Sequence, residues 1–172
     1  MTWVIVPAIA ALLALFAILV RSGLVRLRDS VRQSWASLDT LLLERHDLLA
    51  ALVDRCVRHM LYEQHVLERV TRADAATFAA AAREDIPALA AAEKTLRASV
   101  ADLLVLAENY PVLCVKPAFR ELRERVQCIG AAIIERREQY NSAVNLLNVR
   151  SQAFPHRMVA RMTGFHTEAL FE

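Results

Sequence analysis

The sequence predicts an all-α protein: an antiparallel helical bundle of three long helices plus a short C-terminal helix, with one N-terminal transmembrane helix. Three observations predict it. The 172 residues are 56% hydrophobic yet include only three glycines and five prolines. That composition favours uninterrupted helix over the β-branched strands and Gly/Asn turns of a sheet protein. Apolar residues recur in three- and four-residue steps over long stretches, the spacing of one helix face. Residues 3–20 carry no charge and no strongly polar side chain.

That uncharged run, WVIVPAIAALLALFAILV, would span about 27 Å as a helix, close to one hydrocarbon thickness. Trp3 suits the interface at one end. Val20 closes the run, and Arg21, Arg26 and Arg28 crowd the other end, as expected on a cytoplasmic side. No basic segment precedes the run, and no small-x-small cleavage site separates it from Arg21. A retained anchor is therefore preferred to a cleaved signal peptide. The expected organisation is an anchor at 1–22 and a bundle domain at 23–172. The N-terminus lies outside, and the domain is cytoplasmic at an inner (plasma) membrane.

From Leu24 to Glu84 there is neither glycine nor proline, and Val31, Trp35, Leu38, Leu42, Leu49, Leu52, Cys56, Met60, Leu67 and Val70 keep helical spacing. The expectation is one very long helix, or two with a kink near Thr71–Asp74. The stretch Thr71 to Ala92 is alanine-rich, good for helix but poor in burial, so it should be the thin end of the bundle. Asp85 is a candidate N-cap with Pro87 in the first turn. The helix it opens should run to Asn109, with Leu89, Leu96, Val100 and Leu103 in its stripe. NYPVLCVKP, 109–117, reads as a loop, because Pro111 pushes Tyr110 out of the helical region. Tyr110 and Pro111 are expected to close the bundle end, with the tyrosine ring buried. A third helix should run from Pro117 to Phe154 and stop at Pro155. A short fourth should cover His156–Met162. Connections this short force antiparallel neighbours.

Basic and acidic residues number 21 and 19 and are interspersed along the chain, which argues against a nucleic-acid surface. Cys56, Cys114 and Cys128 form no C-x-x-C, so neither a disulfide framework nor a zinc knuckle is indicated. Cys56 and Cys128 read as small core residues and Cys114 as the reactive one. The stretch RHDLLAALVDRCVRH, 45–59, is the densest in chemistry-bearing side chains. On a helix Cys56, His59 and Glu63 share a face, while His46 and His65 point elsewhere. The sequence has no Glu-x-x-His, His-Glu-x-x-His or Gly-x-Ser-x-Gly, and no glycine-rich phosphate loop. The di-iron, zinc-protease and hydrolase signatures are thus missing. The expectation is no catalytic residue, no cofactor and no metal. The preferred reading is a structural polar seam, in which Arg45, His59 and Glu63 on the first helix meet Asn141, Asn145 and Asn148 on the third. Such contacts fix helix register at some cost in stability.

Several short pieces occur in a characteristic order: an N-terminal apolar helix, Trp35, Arg45 with DLL at 47–49, YEQHVLERV at 62–70, AENYP at 107–111, Phe119, YN at 140–141, Asn145, Asn148, FP at 154–155, GF at 164–165 and a terminal FE. Together they make the chain resemble the LemA family over its full length. It departs from the family pattern at Ala50–Ala51, where Pro-Asn is usual, at Val112, where Asp is frequent, and at Asp29, where Asn is usual. The resemblance implies a bacterial, all-helical bundle tethered by one N-terminal membrane helix with a short outside terminus, and brings no activity. The function expected is a membrane-tethered scaffold or adaptor without catalytic activity, acting through protein partners. The alternatives are a self-assembling, homo-oligomeric membrane organiser and, behind it, a metal- or ligand-binding bundle using the polar seam.

Overall fold

A computed structural model describes residues 2–153 and 167–171, with side chains from Leu15 onward except Ala17. The helices are α1 (Thr2–Val57), α2 (Gln64–Ala82), α3 (Ile86–Ala107), the single turn α4 (Pro111–Cys114) and α5 (Pro117–Gln152). No strand occurs among the described residues. The expected stop at Phe154–Pro155 and the short helix His156–Met162 fall outside them. Trp3 and most side chains of the expected 3–20 span do too. Among the described residues no helix is long and apolar enough to cross a membrane.

The chain divides into two compact units, one of residues 36–138 with 171–172, the other of residues 1–35 with 139–170. The first is a four-helix bundle rather than part of a three-helix one, because the helix expected to run on to Glu84 ends at Val57. The reversal occupies 58–63, and α2 passes unbroken through Thr71–Asp74, where the kink was expected. No glycine or proline marks the reversal. Its cause is burial: Met60 is fully enclosed, and the N–H groups of His59 and Met60 both bond the Cys56 carbonyl, closing α1. Val66, Leu67 and Val70 then turn back onto Leu49, Leu52 and Cys56 in one core, which Leu96, Leu103, Leu113, Phe119 and Val126 complete from α3, α4 and α5. Thr71 and Thr77 keep their hydroxyls bonded to carbonyls one turn back in α2, which satisfies them without interrupting the helix.

The next reversal is three residues long. The N–H of Glu84 bonds the Ala81 carbonyl and that of Asp85 bonds the Ala80 carbonyl, the paired bonds of a Schellman stop. That stop needs a left-handed residue, here Glu84 at φ 52°. Asp85 then caps α3, its side chain accepting from the Ala88 N–H at 3.1 Å, with proline in the first turn as the sequence indicates. One aspartate thus ends one helix and opens the next.

In the second unit Val20, Leu24 and Val31 of α1, together with Tyr140, Val144 and Leu147 of α5, are buried. Trp35 meets Tyr140 edge to face, with centroids 5.8 Å apart. The C-terminal segment lies along α5: Tyr140 donates its hydroxyl to the Ala169 carbonyl, and the Asn148 amide both donates to the Glu168 carbonyl and accepts from its N–H, each at 3.0 Å.

The left-handed glutamate is the weak point of the α2–α3 reversal. Glu84→Gly is expected to raise stability by about 1 kcal/mol, since a side chain at that φ costs about 1–2 kcal/mol and glycine returns part of this as chain entropy. Urea unfolding checks it; an unchanged or lower midpoint would mean that Glu84 is held there by an interaction worth more than its strain.

Candidate functional site

The polar side chains that sequence reasoning singled out are drawn to several places. Arg45 is buried, as its position on the apolar stripe of α1 indicated, but its partner is a carboxylate rather than an asparagine. Its two terminal nitrogens reach the two oxygens of Glu93 on α3 at 2.5 and 2.6 Å, with both residues over nine-tenths buried. A fork-to-fork pair like this is the strongest neutralisation available to a guanidinium in a dry site. The expected seam is corrected here for a simple reason: an amide cannot cancel a buried charge and a carboxylate can. Glu93 was missed by sequence reasoning. Its signal was a carboxylate four residues after Leu89 and three before Leu96, on the buried stripe of α3. Arg45 Nε is the one buried side-chain nitrogen or oxygen without a partner among the described residues.

A second polar contact lies one residue along α1. His46 Nδ1 approaches Asp74 Oδ2 at 2.6 Å, and the imidazole stacks on Phe78 with centroids 4.7 Å apart. His46 and Asp74 lie equally far in sequence from Met60, the register an antiparallel reversal there requires. Burial, the larger influence, lifts the Asp74 carboxyl above its ordinary 3.8, against the opposing pull of the His46 hydrogen bond and charge. Asp39, His46, Asp74, Thr77 and Phe78 help to line a cavity of about 230 Å³ beside this contact.

The other expected seam residues have the following surroundings. His59, at the reversal, lies 2.7 Å from the Lys116 ammonium through Nε2. Glu63 comes within 3.9 Å of His65. Asn145 is exposed, Asn141 half-buried, and Asn148 holds the C-terminal segment. Tyr110 is half-buried rather than buried. It packs against the main core and accepts the backbone N–H groups of Leu113 and Cys114, turning Pro111–Cys114 into a helical turn inside the expected loop. Cys56 is enclosed, and burial, with a smaller contribution from Cys114, pushes its thiol up to about 11. Cys114 is half-buried and donates to the Ala107 carbonyl. Cys128, expected in the core, is the exposed cysteine. Phe171 is a further buried anchor, with Arg137 over its ring at 5.9 Å. No group of three or more His, Cys, Asp or Glu side chains stands where it could hold a metal ion among the described residues.

Trp35, Arg45, Tyr110, Phe119, Tyr140, Asn148 and Phe171 are among the residues that carried the sequence resemblance, and each has a packing or hydrogen-bonding role above. The LemA family model matches residues 34–172. The chain belongs to the LemA family. No curated protein matches it. The match starts just before Trp35 and covers the whole four-helix unit of this LemA-family chain, including Arg45, Glu93, His46 and Asp74.

Two outcomes test these contacts. Glu93→Ala strands a buried guanidinium and is expected to cost about 3–5 kcal/mol, whereas Arg45→Met combined with Glu93→Leu is expected to come within about 1 kcal/mol of wild type or exceed it. Denaturant unfolding of the single and double variants decides; a double variant as unstable as the single would show that the pair contributes more than mutual neutralisation. For Asp74 the sign follows from its raised pKa. The folded chain keeps this proton where the unfolded chain has lost it, so the group's contribution falls as pH rises above its ordinary value. As pH rises above the ordinary carboxyl value, Asp74→Asn should therefore lose less stability than wild type does. Parallel pH profiles from urea titrations would contradict this.

Proposed function

We propose that this LemA-family chain is a membrane-tethered helical-bundle scaffold or adaptor without catalytic activity, working through protein partners at the bilayer. The observation that carries the tether is an exposed apolar stretch. Leu15, Phe16, Ile18 and Leu19 are each half or more exposed, immediately before Arg21. Contiguous apolar surface of this kind is costly in water and needs a lipid or protein cover. With the uncharged run that precedes it and the arginines that follow, lipid is the cover the sequence favours, with the N-terminus outside and the bundle in the cytoplasm. This belongs to an inner, plasma-membrane localisation.

The scaffold reading is supported by where the polar chemistry goes. Arg45 and Glu93 neutralise each other, His46 and Asp74 share a contact, and Asn148 serves the chain's own backbone. These are structural uses. Apolar side chains remain exposed on the reversals instead: Leu61 and Tyr62 beside α2, Val112 and Val115 on and after α4. A bundle whose reversals carry exposed apolar groups is suited to binding other proteins there. Self-assembly into a homo-oligomer is the second reading, favoured by the same groups.

The test uses whole cells and native membranes. With the three native cysteines replaced, Thr2→Cys is expected to react with an impermeant maleimide from outside, and a cysteine at 172 only after permeabilisation. Crosslinking mass spectrometry on the same membranes is expected to place defined proteins against Leu61, Tyr62, Val112 or Val115. Reversed labelling would sink the orientation, and links only between copies of the chain would favour self-assembly.

A further inference from the structure

The end of the four-helix unit at the first reversal holds a cavity of about 170 Å³ that the reading above does not use. Its lining comprises Arg55, Arg58, His59, Leu113, Lys116, Ala118 and Phe119. Leu113 and Phe119 are buried and make an apolar floor. Everything ionisable in the lining is basic, with no carboxylate among the described residues that form it. Arg58 is paired with Asp54 one turn back. Arg55 and Lys116 have no carboxylate within 4 Å among the described residues, and the Lys116 ammonium instead sits 2.7 Å from His59 Nε2.

That last contact is the informative one. An ammonium on a mobile, exposed side chain would find water or a carboxylate at less cost than a place beside two guanidinium groups. Arg55 and Arg58 have a structural use, since cations suit the C-terminal end of α1. Lys116 has none, because it stands at the opposite pole of another helix. It directly precedes Pro117, the first residue of the 36-residue α5. The N–H groups of Phe119 and Arg120 bond the Lys116 carbonyl, which leaves the Ala118 N–H, on the cavity wall, as the free donor of the first turn. A long helix adds positive potential at that point. Three cationic residues, an imidazole and a helix N-terminus thus border one small space with a net positive field.

We propose that this cavity binds a phosphate group, either free inorganic phosphate or the phosphomonoester of a lipid headgroup. Charge selects an anion. Several donors arranged around one space suit a tetrahedral oxyanion better than a planar carboxylate, which a single guanidinium fork satisfies. Size excludes a whole nucleotide, because the cavity is smaller than the roughly 300 Å³ at which pockets for larger ligands begin. On binding, the anion takes the ammonium from His59 and ties the 58–63 reversal to the start of α5, joining the end of α1 to α5 through one ligand. Neither the anchor nor the scaffold role is needed for this site, so its failure and theirs are separable.

The probe is inorganic phosphate, titrated calorimetrically into the full-length chain in phosphatidylcholine nanodiscs. Saturable binding is expected with a dissociation constant of roughly a millimolar or tighter. Lys116→Gln should weaken it about tenfold, the value of a charge-assisted hydrogen bond, and Arg55→Gln should weaken it too. Arg72→Gln, which removes the same charge from α2 outside the cavity, should leave it unchanged. Lys116 is exposed, so its variant is expected to melt as wild type does. No saturable heat, or equal weakening by Arg72→Gln and Lys116→Gln, overturns the proposal. Adding phosphatidic acid to the nanodiscs separates the sources. A loss of apparent affinity for free phosphate identifies the headgroup as the occupant, and an unchanged affinity identifies free phosphate.

Discussion

The Arg45–Glu93 pair constrains the four-helix unit more tightly than any other contact in it. A guanidinium over nine-tenths buried on α1 must be neutralised, and it is met on α3 by the two oxygens of one carboxylate. Apolar contacts between alanine- and leucine-rich helices are forgiving: a slide of one turn exchanges one leucine for another at little cost. A bidentate ion pair does not tolerate that slide, because a shift of one turn, about 5.4 Å, would leave two uncompensated charges in the core. Desolvation consumes most of what the pair gains, so its value lies in choosing one register among many similar ones. Arg45 Nε, left without a partner, is a residual cost of placing that charge inside.

The His46–Asp74 contact repeats the device between α1 and α2 with weaker groups. It lies nearer the surface, and the histidine ring is held flat against Phe78. Together the two contacts tie α1 to both helices that follow it. The stretch 45–59, dense in His, Asp and Cys, therefore resolves into interhelical fasteners at its start and a basic cavity wall at its end. No single cluster uses it. Cys56 between them is enclosed and its thiol is held protonated by burial, which suits packing and not chemistry.

The reversals show how turns are made in a chain with three glycines. At 58–63 the chain turns around a buried methionine. At 83–85 a glutamate accepts the left-handed conformation that glycine would take without strain, and Asp85 caps the following helix. At 108–116 proline does the work, with Tyr110 as the cap of a single turn. Each reversal carries polar or charged groups on backbone that lacks helical partners, and Leu61, Tyr62 and Val115 are exposed there.

The sequence by itself determined the all-helical class, the family, the stop and start at Asp85–Pro87, the start of α5 at Pro117 and the burial of Arg45. Each follows from local chemistry: helical spacing of apolar residues, a capping carboxylate, a proline that fixes φ, a cation on an apolar stripe. What only the tertiary structure decided is where a pattern without punctuation breaks and which polar group meets which. The apolar spacing continues through 58–63 on both sides, so nothing local separates one long helix from two antiparallel ones; the gain of enclosing Met60 against returning helices decides it. Likewise the faces of α1 and α5 show that Arg45 and the asparagine row are polar positions in apolar stripes. They do not show that α3 offers a carboxylate at Arg45, that Lys116 reaches His59, or that Asn148 faces the backbone of the C-terminal segment. Partner choice between helices depends on register and rotation, and those are fixed by the whole core at once.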